Sequence, residues 1–395
     1  MKYTGTNDGD TVTGSITIRC AETGEEFPVV ISANTIARPS AALVLALDRS
    51  GSMDDPAGDG RVKIELVRDG AAVVPVLVRD SETGLGGVRW ATDADLAGAM
   101  EVEQAGEEVI GLGRQNLSSF IMNHTTDPFG MTAIGDAVEA AQSLLDDADG
   151  YDIKAMVVLT DGNETASKYI SELSGADLHS RIYAIGVGTP ENLDPIALDT
   201  LAGSHGGYMV LTGETTVDDR FLLIKYYQQI LAGITNTEIV VDPQGWLPPG
   251  VEVTHQFPVN ETDREIDVIV HTQYPSVLDL SVKTPDGKVI RRWDVNGLDS
   301  KYVVGHGTTY FRLALPSSLF DPQDPTQPWT ASLKIDSENW YRLIKELRLK
   351  EDKQEASASS AGAMVHGLHY AFTTQARSSL RMETQVTQAS RKPGA

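Results

Sequence analysis

Cysteine is almost absent: Cys20 is the only one among 395 residues. That excludes an intrachain disulfide and a thiolate metal cluster, and leaves Cys20 to be expected as a small core residue closing a strand. Long apolar runs are missing as well. None approaches the ~20 residues that a membrane-spanning helix needs, and residues 1–8 lack the apolar centre of a signal peptide. Positive charge is short, with 32 Lys and Arg against 56 Asp and Glu and a net charge of −24. Such a surface repels phosphate backbones and anionic lipid, so nucleic-acid binding and membrane insertion are not expected. Three catalytic patterns are also lacking: Gly-x-x-x-x-Gly-Lys-Ser/Thr, His-Glu-x-x-His and Gly-x-Ser-x-Gly. No catalytic constellation remains, and the chain is expected not to be an enzyme.

What is present is organised around one stretch. Ala41-Ala42-Leu43-Val44-Leu45-Ala46-Leu47 is an uninterrupted apolar run that stops on Asp48. A run of that length without polar alternation predicts a strand buried on both faces, as in a parallel sheet. The loop after it, Asp48-Arg49-Ser50-Gly51-Ser52, puts a carboxylate and two hydroxyls at alternate positions. In open α/β sheets ligands bind outside the carboxyl ends of the strands, which is where these three oxygen donors lie.

Two further segments repeat the theme. Ala155-Met156-Val157-Val158-Leu159-Thr160 is a second buried strand ending on Asp161, and Gly130-Met131-Thr132-Ala133-Ile134 is a loop that opens a helix. Helical patterns are predicted from residue 61 to a break at Pro75, over 116–123, 133–145, around 195–201 and over 219–234. Strands are predicted at 86–93, 99–103, 182–188 and 207–211, and residues 170–173 are expected to be helical. Alternation of strands and helices means a parallel sheet with helices on both faces. After Thr235 the texture changes to short strands, at 238–243, 251–254, 266–270, 277–282 and 310–315, separated by turn signals such as Pro285-Asp286-Gly287. That is an all-β pattern, most simply a sandwich.

The expected organisation is therefore two strands within 1–37, an α/β domain over 38–235, a β-sandwich over 236–350, and a linker with a further β segment over 351–395. The N-terminal strands have no helical partners and are expected to complete the sandwich, with the α/β domain inserted. The last strand-like run, Leu380 to Val386, lies close to the end, which reads as a piece of something longer.

The order and context of Asp48, Ser50, Ser52, Thr132 and Asp161 resembles the von Willebrand factor type A (VWA) domain with its metal-ion-dependent adhesion site. The resemblance covers about residues 40–235 and all five motif positions match. It implies a Rossmann-like, doubly wound sheet and a site where the two serines bind the metal directly. The aspartates bind partly through water, and the threonine joins in an open form. Hydroxyls with one or two carboxylates suit Mg²⁺, with Mn²⁺ or Ca²⁺ as alternatives, and the lack of His and Cys argues against zinc. The implied function is divalent-cation-dependent, adhesion-type protein binding, in which an acidic residue of a protein partner supplies the last ligand. The alternative is an intracellular adaptor working beside a separate ATPase. The chain as it stands reads as cytoplasmic; as a piece of a longer protein it reads as secreted or surface-bound.

Lesser candidates are a second, calcium-type site at Asp54, Asp55 and Asp59, and partner selection by Asn163 and Glu164. Trp90, His205, His366 and His369 are expected to be structural.

Overall fold

The computed structural model describes residues 11–19, 23–24, 26–34, 39–58, 60–79, 83–92, 94–103, 112–124, 127–175, 177–189, 192–216, 219, 221–260, 263–295, 300–315, 327–351 and 367–378. Strands β1 (Thr11–Arg19) and β2 (Glu26–Asn34) form an antiparallel hairpin. The α/β unit follows: β3 (Ala41–Asp48), α1 (Lys63–Ala71), α2 (Val73–Leu77), β4 (Thr83–Trp90), β5 (Ala94–Glu103) and α3 (Leu112–His124). It continues through α4 (Ile134–Asp146), β6 (Ile153–Thr160), β7 (Arg181–Gly186), α5 (Pro195–Ser204), β8 (Met209–Leu211) and α6 (Leu222–Thr235).

The sheet runs β5-β4-β3-β6-β7-β8, with β5 the one antiparallel member, at an edge. Central β3 is buried along its whole length. Because side chains alternate across a strand, Leu43, Leu45 and Leu47 join the core under α1, α2, α3 and α6. Ala42, Val44 and Ala46 join the opposite core under α4 and α5. Helices thus cover both faces, as the unbroken apolar runs predict. The break between α1 and α2 falls just before Pro75, which has no N–H to give to a continuing helix. Residues 170–172 are a single 3₁₀ turn rather than part of a longer helix.

The second unit contains β9 (Glu238–Val241), β10 (Gln244–Leu247), β11 (Val253–Phe257), β12 (Asp263–Thr272), β13 (Leu278–Lys283), β14 (Val289–Ile290), β15 (Lys301–Gly305), β16 (Thr308–Ala314) and β17 (Trp329–Ile335). Helix α7 (Ser337–Glu351) and β18 (Leu368–Ser378) complete it. One sheet runs β10-β18-β12-β16-β15 with β9 also on β18; the other runs β11-β17-β13-β14. A core including Phe257, Val268, Phe311, Trp329, Leu333 and Phe372 fills the space between them.

The expectation that the N-terminal strands complete this sandwich is corrected. Among the described residues β1 and β2 pair with each other over nine positions, and every strand of the two sandwich sheets comes from 238–378. The place beside β12 is taken by β18, from the C-terminal side. Helix α7 lies where no helix is predicted, and Cys20, Asp59, His366 and the run 380–386 fall outside the described residues. Among the described residues, no helix is long and apolar enough to cross a membrane.

The two units share polar contacts. Tyr310 Oη donates to the Val76 carbonyl at 3.1 Å and Arg312 Nη2 to the Leu77 carbonyl at 2.8 Å, so the carbonyls of the last turn of α2 find their donors on the sandwich. Lys225 Nζ of α6 lies 3.1 Å from Asp242 Oδ2.

Candidate functional site

The five motif residues converge at the carboxyl edge of the parallel sheet. Asp48 ends β3 and Asp161 follows β6, the neighbouring parallel strand. Thr132 precedes α4 in a loop laced to the others by backbone bonds. Phe129 N–H donates to Arg49 O at 2.9 Å, Gly51 N–H to Gly130 O at 3.1 Å, and Ala133 N–H to Ala91 O at 2.9 Å.

Asp48 is fully buried and Asp161 nearly so. Asp48 Oδ1 accepts from the Ser50 N–H at 2.7 Å, and its Oδ2 accepts from the Thr160 hydroxyl at 2.7 Å. Ser50 Oγ and Ser52 Oγ are 3.2 Å apart, and the Ser52 hydroxyl donates to Asp161 Oδ1 at 2.8 Å. A Cβ placed on Gly162 would lie 3.7 Å from both Ser52 Oγ and Thr132 Oγ1, so those two hydroxyls flank the same bare backbone. All five sequence-predicted residues are therefore brought together.

Burial, with the Asp161 carboxylate nearby, pushes the Asp48 carboxyl up to about 7, while the Thr160 hydroxyl and the Ser50 amide pull it down. Two carboxylates held close out of water are costly unless a cation offsets them. The donor chemistry fits a hard divalent cation. Neighbouring oxygens of an octahedron with ~2.0–2.1 Å bonds are about 2.9 Å apart, and the 2.8 and 3.2 Å separations in the Ser50–Ser52–Asp161 row bracket that value.

Two neighbours of the site were not anticipated. Thr160 fixes Asp48 across the β3–β6 pairing. Lys63, the first residue of α1, places Nζ 2.6 Å from Asp161 Oδ2 and 3.6 Å from Asp55 Oδ2. A cation at a helix N-terminus opposes the macrodipole, and that misplacement is the sequence signal Lys63 offers. Of the acidic turn, Asp55 is exposed and faces Lys63, and Asp59 lies outside the described residues. Among the described residues no three His, Cys, Asp or Glu side chains gather in metal-binding fashion.

Beside the five residues lies a cavity of about 470 Å³ lined by Gly162, Asn163, Glu164, Tyr169, Asp194 and Ile196 among others. Glu164 Oε1 accepts from the Ile170 N–H at 2.7 Å and the Gly135 N–H at 3.3 Å, which ties the loop after β6 to the start of α4. Burial raises the Glu164 carboxyl above its ordinary value. Gly135 lies so close to this loop that a Cβ there would sit 2.5 Å from the Tyr169 carbonyl oxygen. Phe129 and Met131 are exposed beside Thr132, with the Arg49 guanidinium 4.6 Å over the Phe129 ring. Trp90 is fully buried, and His205 Nδ1 lies 2.7 Å from the Leu201 carbonyl oxygen. His369 stacks on Trp246 at 5.1 Å.

No family model matches the sequence, and no curated protein does. Solved structures do. A von Willebrand factor type A protein from Catenulispora acidiphila aligns at 14% identity and a TM-score of 0.39, covering 85% of this chain and 67% of that one. The pilus adhesin SpaC from Lactobacillus rhamnosus GG aligns at 10% identity and a TM-score of 0.39, covering 85% of this chain and 44% of that one. The manganese-loaded TRAP protein of Plasmodium vivax aligns at 14% identity and a TM-score of 0.33, covering 63% and 92%. Each TM-score is below 0.5, so the likeness is partial, and the Rossmann-like architecture stands on the strand order described above.

Proposed function

We propose that this chain is a divalent-cation-dependent, adhesion-type protein-binding module. Asp48, Ser50, Ser52, Thr132 and Asp161 would hold Mg²⁺, or Mn²⁺ or Ca²⁺ in its place, and an acidic residue of a protein partner would complete the set. The observation that carries this reading is the convergence of two buried carboxylates and three hydroxyls from three separate loops at one edge of the sheet. When bound, the ion supplies a Lewis-acidic position for a partner's carboxylate. The protein's own residues orient the ligands: Thr160 and the Ser50 amide hold Asp48, and Ser52 holds Asp161.

The surroundings support a binding role rather than a catalytic one. Exposed Phe129 and Met131 lie beside Thr132, and exposed Tyr169 and Ile196 line or border the adjoining cavity. Apolar side chains on the rim of a charged centre suit a protein surface. Asn163 and Glu164 line the same cavity, and in this reading they contribute to the choice of partner.

The test is calorimetric titration of Mg²⁺, Mn²⁺ and Ca²⁺ into the wild type and Asp48→Ala. Saturable binding by the wild type that is lost in Asp48→Ala supports the reading. Indistinguishable traces for the two proteins would sink it.

A further inference from the structure

We propose that Lys63 is a tethered counter-ion that closes the site in the metal-free protein and must release Asp161 before a divalent cation can bind. This rests on the metal-site reading above and specifies how that site is regulated. The Lys63 side chain is 12% exposed and that of Asp161 is wholly buried, so their 2.6 Å contact is shielded from water. Asp161 is thereby engaged on both oxygens, Oδ1 by the Ser52 hydroxyl and Oδ2 by the ammonium. With both carboxyls ionised, as ligands to a cation are, Asp48 and Asp161 carry two negative charges between them. A divalent ion offsets both, but adding it beside a retained ammonium would set three positive charges against two in a partly buried space. Like charges at such range repel, which sets the ammonium and the divalent ion in competition for Asp161.

The structure also provides somewhere for the ammonium to go. Asp55 Oδ2 is 3.6 Å from Nζ, and the Asp55 side chain is 65% exposed. The Lys63 N–H donates to the Asp55 carbonyl at 3.0 Å, so the two residues stay adjacent whichever carboxylate the ammonium faces. A four-carbon stem with freely rotating bonds can swing from the buried partner to the exposed one without losing an ion pair. Selectivity follows from the same arrangement. A monovalent ion brings no more charge than the ammonium it would displace and lacks the tether, whereas a divalent ion gains by the exchange.

The experiment is calorimetric titration of Mn²⁺ into wild type, Lys63→Met and Asp55→Asn, with thermal denaturation of each in chelator and in excess Mn²⁺. Lys63→Met is expected to bind Mn²⁺ roughly tenfold more tightly or better, since a unit charge is removed at contact distance. It should also melt lower than wild type in chelator, with the gap closing in Mn²⁺. Asp55→Asn is expected to bind several-fold more weakly, because the displaced ammonium loses its second carboxylate. Equal or weaker binding by Lys63→Met would overturn the proposal while leaving the metal site standing. No saturable binding by either protein would instead remove the metal site, and this inference with it. Should Lys63→Met not fold without metal, Asp55→Asn decides: unchanged affinity there contradicts the exchange.

Discussion

Arg312→Ala is expected to lower stability by about 3–5 kcal/mol, because it strips a buried carboxylate of its main cation. Arg312 Nε donates to Asp267 Oδ1 at 2.8 Å and Nη2 to Asp267 Oδ2 at 2.9 Å, a bidentate pair on neighbouring strands β16 and β12. The Asp267 side chain is 2% exposed, so water does not take over when the guanidinium leaves. Arg79 stands 3.4 Å from the same carboxylate and also pairs with Glu265, which holds the loss toward the lower end of the range. The damage extends beyond the sandwich. Arg312 Nη2 also serves the Leu77 carbonyl at the end of α2, so the variant leaves an acceptor unpaired at the contact between the two units. Urea unfolding measures the loss directly. Adding Asp267→Leu to Arg312→Ala should recover part of it, since the uncompensated charge is then gone. A loss below ~1 kcal/mol, or no recovery in the double variant, would contradict this account of the interface.

Acid is expected to weaken the protein through His271 by about 2 kcal/mol between pH 7.5 and pH 5. This residue of β12 is fully buried; its Nδ1 is 2.8 Å from Thr308 Oγ1 and its Nε2 has no hydrogen-bond partner among the described residues. Burial, with a smaller contribution from the Lys225 ammonium, lowers its pKa from 6.5 to about 3. The folded state therefore stays neutral at His271 while the unfolded chain takes up a proton below pH 6.5. Between those values the unfolded state binds more protons, so stability falls as pH falls from about 6.5 toward 3 and is flat above that window. Asp48 works in the opposite sense in metal-free protein, because its carboxyl is raised. The comparison that isolates His271 is therefore wild type against His271→Gln, both in chelator. The difference in unfolding free energy between the two proteins should shift by about 2 kcal/mol over that range. A constant difference would mean that the imidazole does not resist protonation in the fold.

Much of the architecture was readable because its strands are buried on both faces. The runs Ala41–Leu47 of β3 and Ala155–Leu159 of β6 are apolar without interruption, a pattern that surface strands do not show, and a carboxylate marks the sheet edge at each, Asp48 closing β3 and Asp161 following β6. The five candidate ligands were readable for the same reason: they stand next to strand and helix ends that can be located from the residues alone. What required the structure was register. Thr160 reaches Asp48 because β3 and β6 are adjacent and parallel, and no spacing within one segment encodes that. Lys63 reaches Asp161 from the start of α1, 98 positions away in the chain.

Other misses had signals that were present. β17, Trp329 to Ile335, alternates buried and more exposed positions along its length, the pattern of a half-buried strand. In α7, Trp340, Leu343, Ile344 and Leu347 fall at i, i+3, i+4 and i+7 and pack on the sandwich core, while Asp336 Oδ1 accepts from the Asn339 N–H at 2.8 Å. The strand signals before it and the charged stretch after it mask that period. The N-terminal hairpin shows the reverse error. Its two strands are real, but pairing partners follow from the fold as a whole, and these two satisfy each other.

The most direct test of the central claim is anomalous diffraction at the manganese edge from crystals grown or soaked in Mn²⁺. The expected result is a single strong peak among the side chains of Asp48, Ser50, Ser52, Thr132 and Asp161, with the Lys63 ammonium withdrawn from Asp161. A map with no peak there at saturating Mn²⁺, or with its strongest peak elsewhere, would contradict the metal-site account.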